Sequence, residues 1–242
     1  MNRFFLTNEI SDNKITKNSE PDFYHHLVDV LRARPGKKIE LVSQTELYDV
    51  TIENVDEDAI TFNEIEKKES HSELPIDVTI VVSNLKSDHT DFLIQKSTEL
   101  GVSKIIITNF KNTVAKIKDD KKIQRYQKIV QNAAEQSKRL KVPEVEIVNK
   151  LSQIDFSQYE TKIVAYEESA KNGEKNQLVK SINNTGHGLV AIFGPEGGID
   201  PDEIDSLKQA GFVLAGLGPR ILRAETAPLY LLSAVSYQKE MN

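Results

Sequence analysis

The sequence predicts an α/β chain in two parts: a small β-barrel at the N-terminus, then a parallel α/β sheet. Three observations predict it. Residues 1–65 hold several short strand-forming segments separated by turn-forming residues, a spacing that suits a small barrel. Residues 64–73 are charged and poor in apolar side chains, and they end at Leu74-Pro75, as a linker does. From Ile76 onward, strand and helix patterns alternate, which is the signature of a parallel sheet with crossover helices. The expected domains are therefore 1–70 and 75–242.

The elements follow in order. Residues 3–6 are a short strand. Phe23, Leu27, Val30 and Leu31 repeat at helical spacing, so residues 23–32 are a helix, and Pro35-Gly36 marks a turn. Residues 39–42, 48–52 and 59–62 are strands. Residues 76–82 are a nearly continuous apolar run, as expected of a strand buried on both faces. Residues 92–100 are a helix, with Asp88 placed to cap it and Gly101 to end it. Residues 104–108 are a strand. Ile123, Tyr126, Ile129, Val130, Ala133 and Ala134 make residues 121–139 an amphipathic helix whose other face carries Lys122, Arg125 and Lys128. Residues 162–166 are a strand, 177–182 a helix and 189–193 a strand. Asp200-Pro201-Asp202-Glu203 opens a helix with Asp at the N-cap, Pro at the first helical position and Glu at the third. Residues 212–215 form the last strand and 227–238 the last helix.

Composition narrows the function. The chain has 242 residues, 38% hydrophobic and 28% charged, which suits a packed globular core. It has no cysteine, which excludes disulfides, thiol nucleophiles, iron–sulfur clusters and Cys-ligated zinc. No apolar run approaches the roughly 18 residues of a membrane span. The N-terminus lacks a signal-peptide pattern, so a cytoplasmic location is expected. The net charge of −6 opposes nucleic-acid binding only as an average. Basic residues cluster at Lys111, Lys116, Lys118, Lys121, Lys122, Arg125 and Lys128, and again at Lys138, Arg139 and Lys141, which leaves room for an RNA-facing surface.

Two glycine-bearing segments carry the chemistry. Gly194-Pro195-Glu196-Gly197-Gly198 follows a buried strand and precedes a capped helix. Such a loop sits at the carboxyl end of a parallel strand, where open α/β sheets bind ligands. Its glycines let the backbone approach a ligand closely. Gly216-Leu217-Gly218-Pro219-Arg220-Ile221-Leu222-Arg223 also lies between a strand and a helix. It differs from a dinucleotide fingerprint because Ile221 stands where a third glycine belongs. Together the segments suggest one backbone-lined pocket for a nucleoside-like ligand. There is no Walker A loop and no Gly-x-Ser-x-Gly elbow. The five histidines, His25, His26, His71, His89 and His187, lack metal-ligand spacing, so no metal is expected.

The two segments, the second read through Ala224-Glu225-Thr226-Ala227, resemble the signature pair of the RsmE family. These are bacterial 16S rRNA uracil-N3 methyltransferases of the SPOUT superfamily. The similarity extends to His26-Leu27-Val28-Asp29-Val30-Leu31-Arg32 with Pro35-Gly36, to Gln95-Lys96-Ser97-Thr98-Glu99-Leu100-Gly101-Val102, and to Glu135-Gln136-Ser137 with Val142-Pro143. The family often has Thr where Ala224 stands and Pro-Lys-Gly where Leu85-Lys86-Ser87 stands, and His89 occupies a position that is usually basic.

The resemblance implies a PUA-like barrel followed by a SPOUT α/β domain with a deep trefoil knot. It also implies S-adenosylmethionine as cofactor, 16S rRNA or the 30S subunit as partner, and a homodimer. Cofactor contacts are expected from Gly194, Pro195, Glu196, Gly197, Gly198, Leu217, Gly218, Pro219, Ile221, Leu222, Arg223, Thr226 and Ala227. The expected catalytic residues are Arg223 and Glu196. Arg223 would meet the target base or its phosphate, or else form an ion pair with Glu225 or Glu196. Glu196 would act as a base or orient its loop, and Thr226 would cap a helix or touch the ligand. RNA contacts are expected from Arg3, His26, Arg32, Arg34, Lys86, Lys96, Gln136, Lys138 and Arg139. A related enzyme acting on ribose 2′-oxygen or tRNA, a non-catalytic RNA-binding assembly factor, and more distantly a nicotinamide-dependent oxidoreductase are the competing readings.

Overall fold

The computed structural model describes residues 1–10, 12–86, 88–117, 121–167 and 176–241. Ser87 and Lys118, both named above, lie outside the described residues. The chain divides into two compact units: residues 1–73 with 134–141, and residues 74–133 with 142–242.

The first unit is a five-stranded sheet wrapped on one core. Its strands are β1 (Arg3–Phe5), β2 (Lys14–Thr16), β3 (Lys38–Ser43), β4 (Glu46–Val55) and β5 (Ala59–Lys68), ordered β1-β3-β4-β5-β2. β1 runs parallel to β3, and the other pairs are antiparallel. Alternate residues Ile39 and Leu41, Val50 and Ile52, and Ile60 and Phe62 point into the core, where they meet Phe4, Phe23 and Leu27. The helix expected over 23–32 is shorter and mixed: α1 (Pro21–His25) continues as one π-helical stretch (His26–Val30), and Arg32 takes a positive φ of 47°.

Two features correct the sequence reading here. Residues 64–68 are not linker but the end of β5, with Leu47 opposite Lys68. Pairing in a strand needs only backbone groups, so charged side chains are tolerated where they face water. Lys67 and Glu46 pair across the strands at 2.6 Å. The segment 134–141 also belongs to this unit. Its Arg139 side chain is 2% exposed and is held by Glu73 at 2.6 Å, while Arg3, 6% exposed, is held by Glu40 at 3.0 Å. Burial opposes ionisation of Glu40, but hydrogen bonds from Lys138 and Arg3 outweigh it and hold the carboxyl below its usual range.

The second unit is a six-stranded, wholly parallel sheet. Its strands are β6 (Asp77–Ser83), β7 (Lys104–Thr108), β8 (Glu144–Val148), β9 (Thr161–Ala165), β10 (Gly188–Phe193) and β11 (Val213–Ala215), ordered β11-β9-β10-β6-β7-β8. Successive strand residues serve opposite faces. Ile105 and Ile107 pack on one side with α2 (His89–Glu99), α3 (Ile123–Gln136), α4 (Gln177–Asn184) and α6 (Thr226–Glu240). Ile106, Val190 and Ile192 pack on the other with α5 (Pro201–Gln209). The predicted capping box forms: Asp200 accepts from the Asp202 amide at 3.0 Å, and Glu203 reaches back to the Asp200 amide at 3.3 Å. Asp88 stands at the N-cap of α2, but its side chain makes no capping bond.

The strand order positions the site. β10 inserts between β6 and β9, and β11 then passes β10 to pair with β9. The chain thus returns across the sheet before its second glycine segment, a return that a threaded C-terminus requires. The carboxyl ends of β11, β9, β10 and β6 come to lie side by side.

Candidate active site

One cavity of about 810 Å³ opens at these four strand ends. The first glycine loop lines it through Gly194, Pro195, Glu196, Gly197 and Gly198, and the second through Leu217, Gly218, Ile221, Leu222 and Arg223, with Ala227 from α6. The two segments therefore share one pocket. Pro219 and Thr226, expected as cofactor contacts, are not in its wall. Thr226 instead starts α6, and its amide donates to the Arg223 carbonyl at 2.9 Å.

The glycines serve packing as well as ligand access. A Cβ on Gly194 would lie 2.6 Å from Cγ1 of Ile199, so the loop closes on itself only without a side chain there. Gly218 takes φ of +93°, a region glycine enters freely.

The first loop is anchored from outside. Asn112, in the loop after β7, donates to the carbonyls of Gly197 and Gly198 at 3.4 and 3.2 Å. The Lys111 amide donates to Glu203 at 3.0 Å, and its ammonium pairs with Asp200 and Asp202 at 2.7 and 2.6 Å. Hydrogen bonds from Lys111 hold the Asp200 carboxyl below its usual range, and those to Asp200 and Asp202 raise Lys111. Lys111 is thus a loop anchor rather than a member of a free basic patch. Beneath the strand ends, Tyr126 and Thr90 donate to Asn84 Oδ1 at 3.2 and 3.4 Å, and burial pushes the Tyr126 hydroxyl up to about 12.

Several lining residues escape sequence reading. Tyr166 and Glu167 enter from the end of β9, a third loop with no glycine signature. The available signal was positional, since carboxyl ends of adjacent parallel strands share a crevice. Glu225 also lines the cavity. It accepts from or pairs with His89 Nδ1 at 3.0 Å and lies 3.9 Å from the Arg223 guanidinium. Lys86 and His89 reach the cavity from the end of β6.

The expected RNA contacts separate by exposure. Arg3 and Arg139 are corrected to structural roles, because both are buried in ion pairs within the first unit. Lys138 is tied to Glu40 at 2.7 Å and Lys96 to Glu99 at 2.7 Å. Arg32, Arg34, Lys86 and Gln136 are exposed, and His26 stacks edge-on against Phe4 at 5.5 Å between ring centres. Among the described residues no group of three or more acidic, His or Cys side chains could hold a metal, and no helix is long and apolar enough to cross a membrane.

A parallel sheet with a crevice at its strand ends, following a curled β unit, is the architecture of an α/β protein with a small-molecule site and a separate small domain. Comparison with known proteins gives the class. The family described as RNA methyltransferase domain matches residues 72–236, and the RNA methyltransferase PUA domain matches residues 21–65. The chain is 38% identical to ribosomal RNA small subunit methyltransferase E of Bacillus subtilis, covering 100% of this chain and 98% of that protein. It is 32% identical to ribosomal RNA small subunit methyltransferase E 2 of Borreliella burgdorferi, covering 87% and 86%. A crystal structure of the Neisseria gonorrhoeae methyltransferase E bound to S-adenosyl methionine superposes with a TM-score of 0.81 at 29% identity, covering 98% and 97%. The chain belongs to the family of ribosomal RNA small subunit methyltransferases E, the RsmE family.

Proposed function

We propose that the cavity holds S-adenosylmethionine and that the protein transfers its methyl group to N3 of a uracil in 16S rRNA of the small ribosomal subunit. The observation that carries this reading is the convergence of the end of β9 and the loops after β10 and β11 on one cavity. Its volume of about 810 Å³ lies in the range of small-molecule sites. Leu217, Ile221 and Leu222 offer apolar walls for a base, and the glycine loops offer backbone groups for its polar edge. Carboxylates at Glu167 and Glu196 suit the hydroxyl and ammonium groups of the cofactor.

When bound, S-adenosylmethionine supplies a methyl group on a cationic sulfur, which departs as a neutral thioether. The protein must hold the uracil in line, exclude water and take charge of the N3 proton. Positioning of this kind can supply up to about 7–11 kcal/mol in well-oriented systems. Arg223, on the exposed rim, is assigned to the target base or its phosphate, where a cation stabilises developing negative charge. Glu196 faces the cavity from the first loop and orients it. The first unit, with Arg32, Arg34 and His26, takes the RNA backbone, joined by Lys86 and Gln136. The working form is a cytoplasmic homodimer, in which a second copy covers rim residues such as Ile221, 73% exposed in the single chain.

Calorimetry with S-adenosylmethionine tests the reading. Saturable one-to-one binding per chain, weakened by replacing a glycine of either loop, is expected. Absence of binding would instead leave an RNA-binding assembly factor.

A further inference from the structure

One carboxylate in the cavity has no structural duty that explains its placement. Glu225 occupies the N-cap position of α6, yet its side chain makes no capping bond to the helix. It turns to His89 instead, with Oε1 at 3.0 Å from Nδ1. The Glu225 side chain is 14% exposed, and both residues line the cavity. The charged groups around it are His89 from α2, Arg223 from its own segment, Lys86 from the end of β6, and Glu167, Glu196 and Arg220 across the cavity.

This arrangement has a chemical reading. A carboxylate bonded to Nδ1 of an imidazole fixes the ring, leaving Nε2 free to exchange a proton with water. His89 is half-exposed, so its outer edge reaches solvent. Glu225 is mostly shielded and can meet a base brought into the cavity.

Resting on the methyltransferase reading above, we propose that Glu225 is the catalytic acceptor of the uracil N3 proton and that His89, donating from Nδ1, is the positioning residue that holds it. The N3–H bond breaks toward a Glu225 oxygen. The N3 electron pair forms the bond to the methyl carbon, and the carbon–sulfur pair stays on sulfur. Glu225 gives the proton up to water once the methylated base departs, while the His89 Nδ1–H stays on the carboxylate throughout. Arg223 stands 3.9 Å from the same Glu225 oxygen that His89 contacts, which leaves Oε2 for the incoming base.

The test uses the full-length protein, unmodified small subunits and labelled S-adenosylmethionine. Single-turnover methyl transfer is followed from pH 5 to 9, with cofactor and RNA affinities measured in parallel. Glu225→Gln is isosteric and is expected to cut the transfer rate about 100-fold or more, while both affinities stay within about twofold. His89→Ala is expected to slow transfer about tenfold by leaving Glu225 without that donor, and His89→Asn, whose amide can donate in its place, is expected to restore most of the rate. Transfer by Glu225→Gln within about threefold of wild type overturns the proposal. So does parallel loss of cofactor affinity, which would make Glu225 a wall of the pocket. Should Glu225→Gln fail to fold, the His89 variants decide alone, because wild-type transfer by His89→Ala overturns the pairing. A wild-type protein that binds no S-adenosylmethionine would sink the underlying reading, an outcome separate from all of these.

Discussion

The two glycine loops of the cavity are built differently. The first, residues 194–198, is held on three sides: Gly194 is pressed against Ile199, Asn112 binds two of its carbonyls, and Lys111 fastens the start of α5 behind it. The second, residues 216–223, is held mainly at its ends, by the Tyr166 amide on the Ala215 carbonyl at 3.0 Å and by the Arg223 carbonyl under the first turn of α6. Its C-terminal half carries the Ile221 residue at 73% exposure and the Arg223 side chain at 80%. The first loop is preorganised before any ligand arrives. The second leaves its apolar and cationic side chains exposed at the rim. Affinity for the cofactor should therefore depend on the packing of the first loop, and turnover on the rim of the second.

The largest effect is expected at the tightest point. Gly194→Ala forces a Cβ against Ile199 and should cost about 1–3 kcal/mol of stability as overpacking, with cofactor affinity falling by more than tenfold. Ile199→Ala in the same chain should restore part of both, measured by thermal melts and calorimetry. Gly218→Ala meets no such clash and carries only the left-handed backbone penalty of roughly 1–2 kcal/mol. Equal losses at the two glycines would erase the contrast between the loops.

Removing the anchor comes next. Lys111→Ala should raise KM for S-adenosylmethionine several-fold and leave kcat unchanged. Its pH dependence has a definite sign. The Asp200 carboxyl is lowered in the folded state, so its contribution is complete above the ordinary carboxylate range and disappears as pH falls through the folded value. Lys111 is raised, so its contribution is present below the ordinary ammonium range and is lost only as pH rises through its higher folded value. The melting-temperature difference between wild type and Lys111→Ala should thus be level near neutrality and shrink in acid. A difference independent of acid pH would remove Asp200 as the partner that matters.

The smallest effect on stability and cofactor affinity is expected at Arg223. An exposed, loose ion pair contributes little to folding, so Arg223→Ala should melt with wild type and bind the cofactor normally while transferring methyl groups slowly. Wild-type turnover on small subunits would remove Arg223 from the target's surroundings. RNA binding itself should weaken steeply with salt, as phosphate contacts require, and a flat salt response would count against Arg32 and Arg34.

Much of this was legible from residue patterns, and the misses have physical causes. Strands such as β6 and β10 announce themselves because burial on both faces makes nearly every residue apolar. β2 does not, since only Ile15 of its three residues is buried, and it follows Asp12 and Asn13 at positive φ. β8 is a sheet edge with glutamates at 144 and 146, and the charged end of β5 reads as linker for the same reason. At the site, glycines mark a loop that must pack tightly, so both glycine segments were found. Tyr166 and Glu167 carry no such mark, because strand order brings them to the cavity and local sequence does not; Glu225 lies just past the second glycine loop and reads from sequence only as a partner for Arg223. Arg3 and Arg139 mislead in the opposite direction. Arginine usually signals surface, but here each meets a carboxylate more than thirty residues away.

The most direct test of the account is methyl transfer to small ribosomal subunits that have never met this activity, followed by mapping of the labelled nucleotide. The account predicts one labelled uridine in 16S rRNA with the methyl group on N3, and loss of that label in Glu225→Gln. Label on a ribose oxygen, on a tRNA, or on no RNA at all would contradict it.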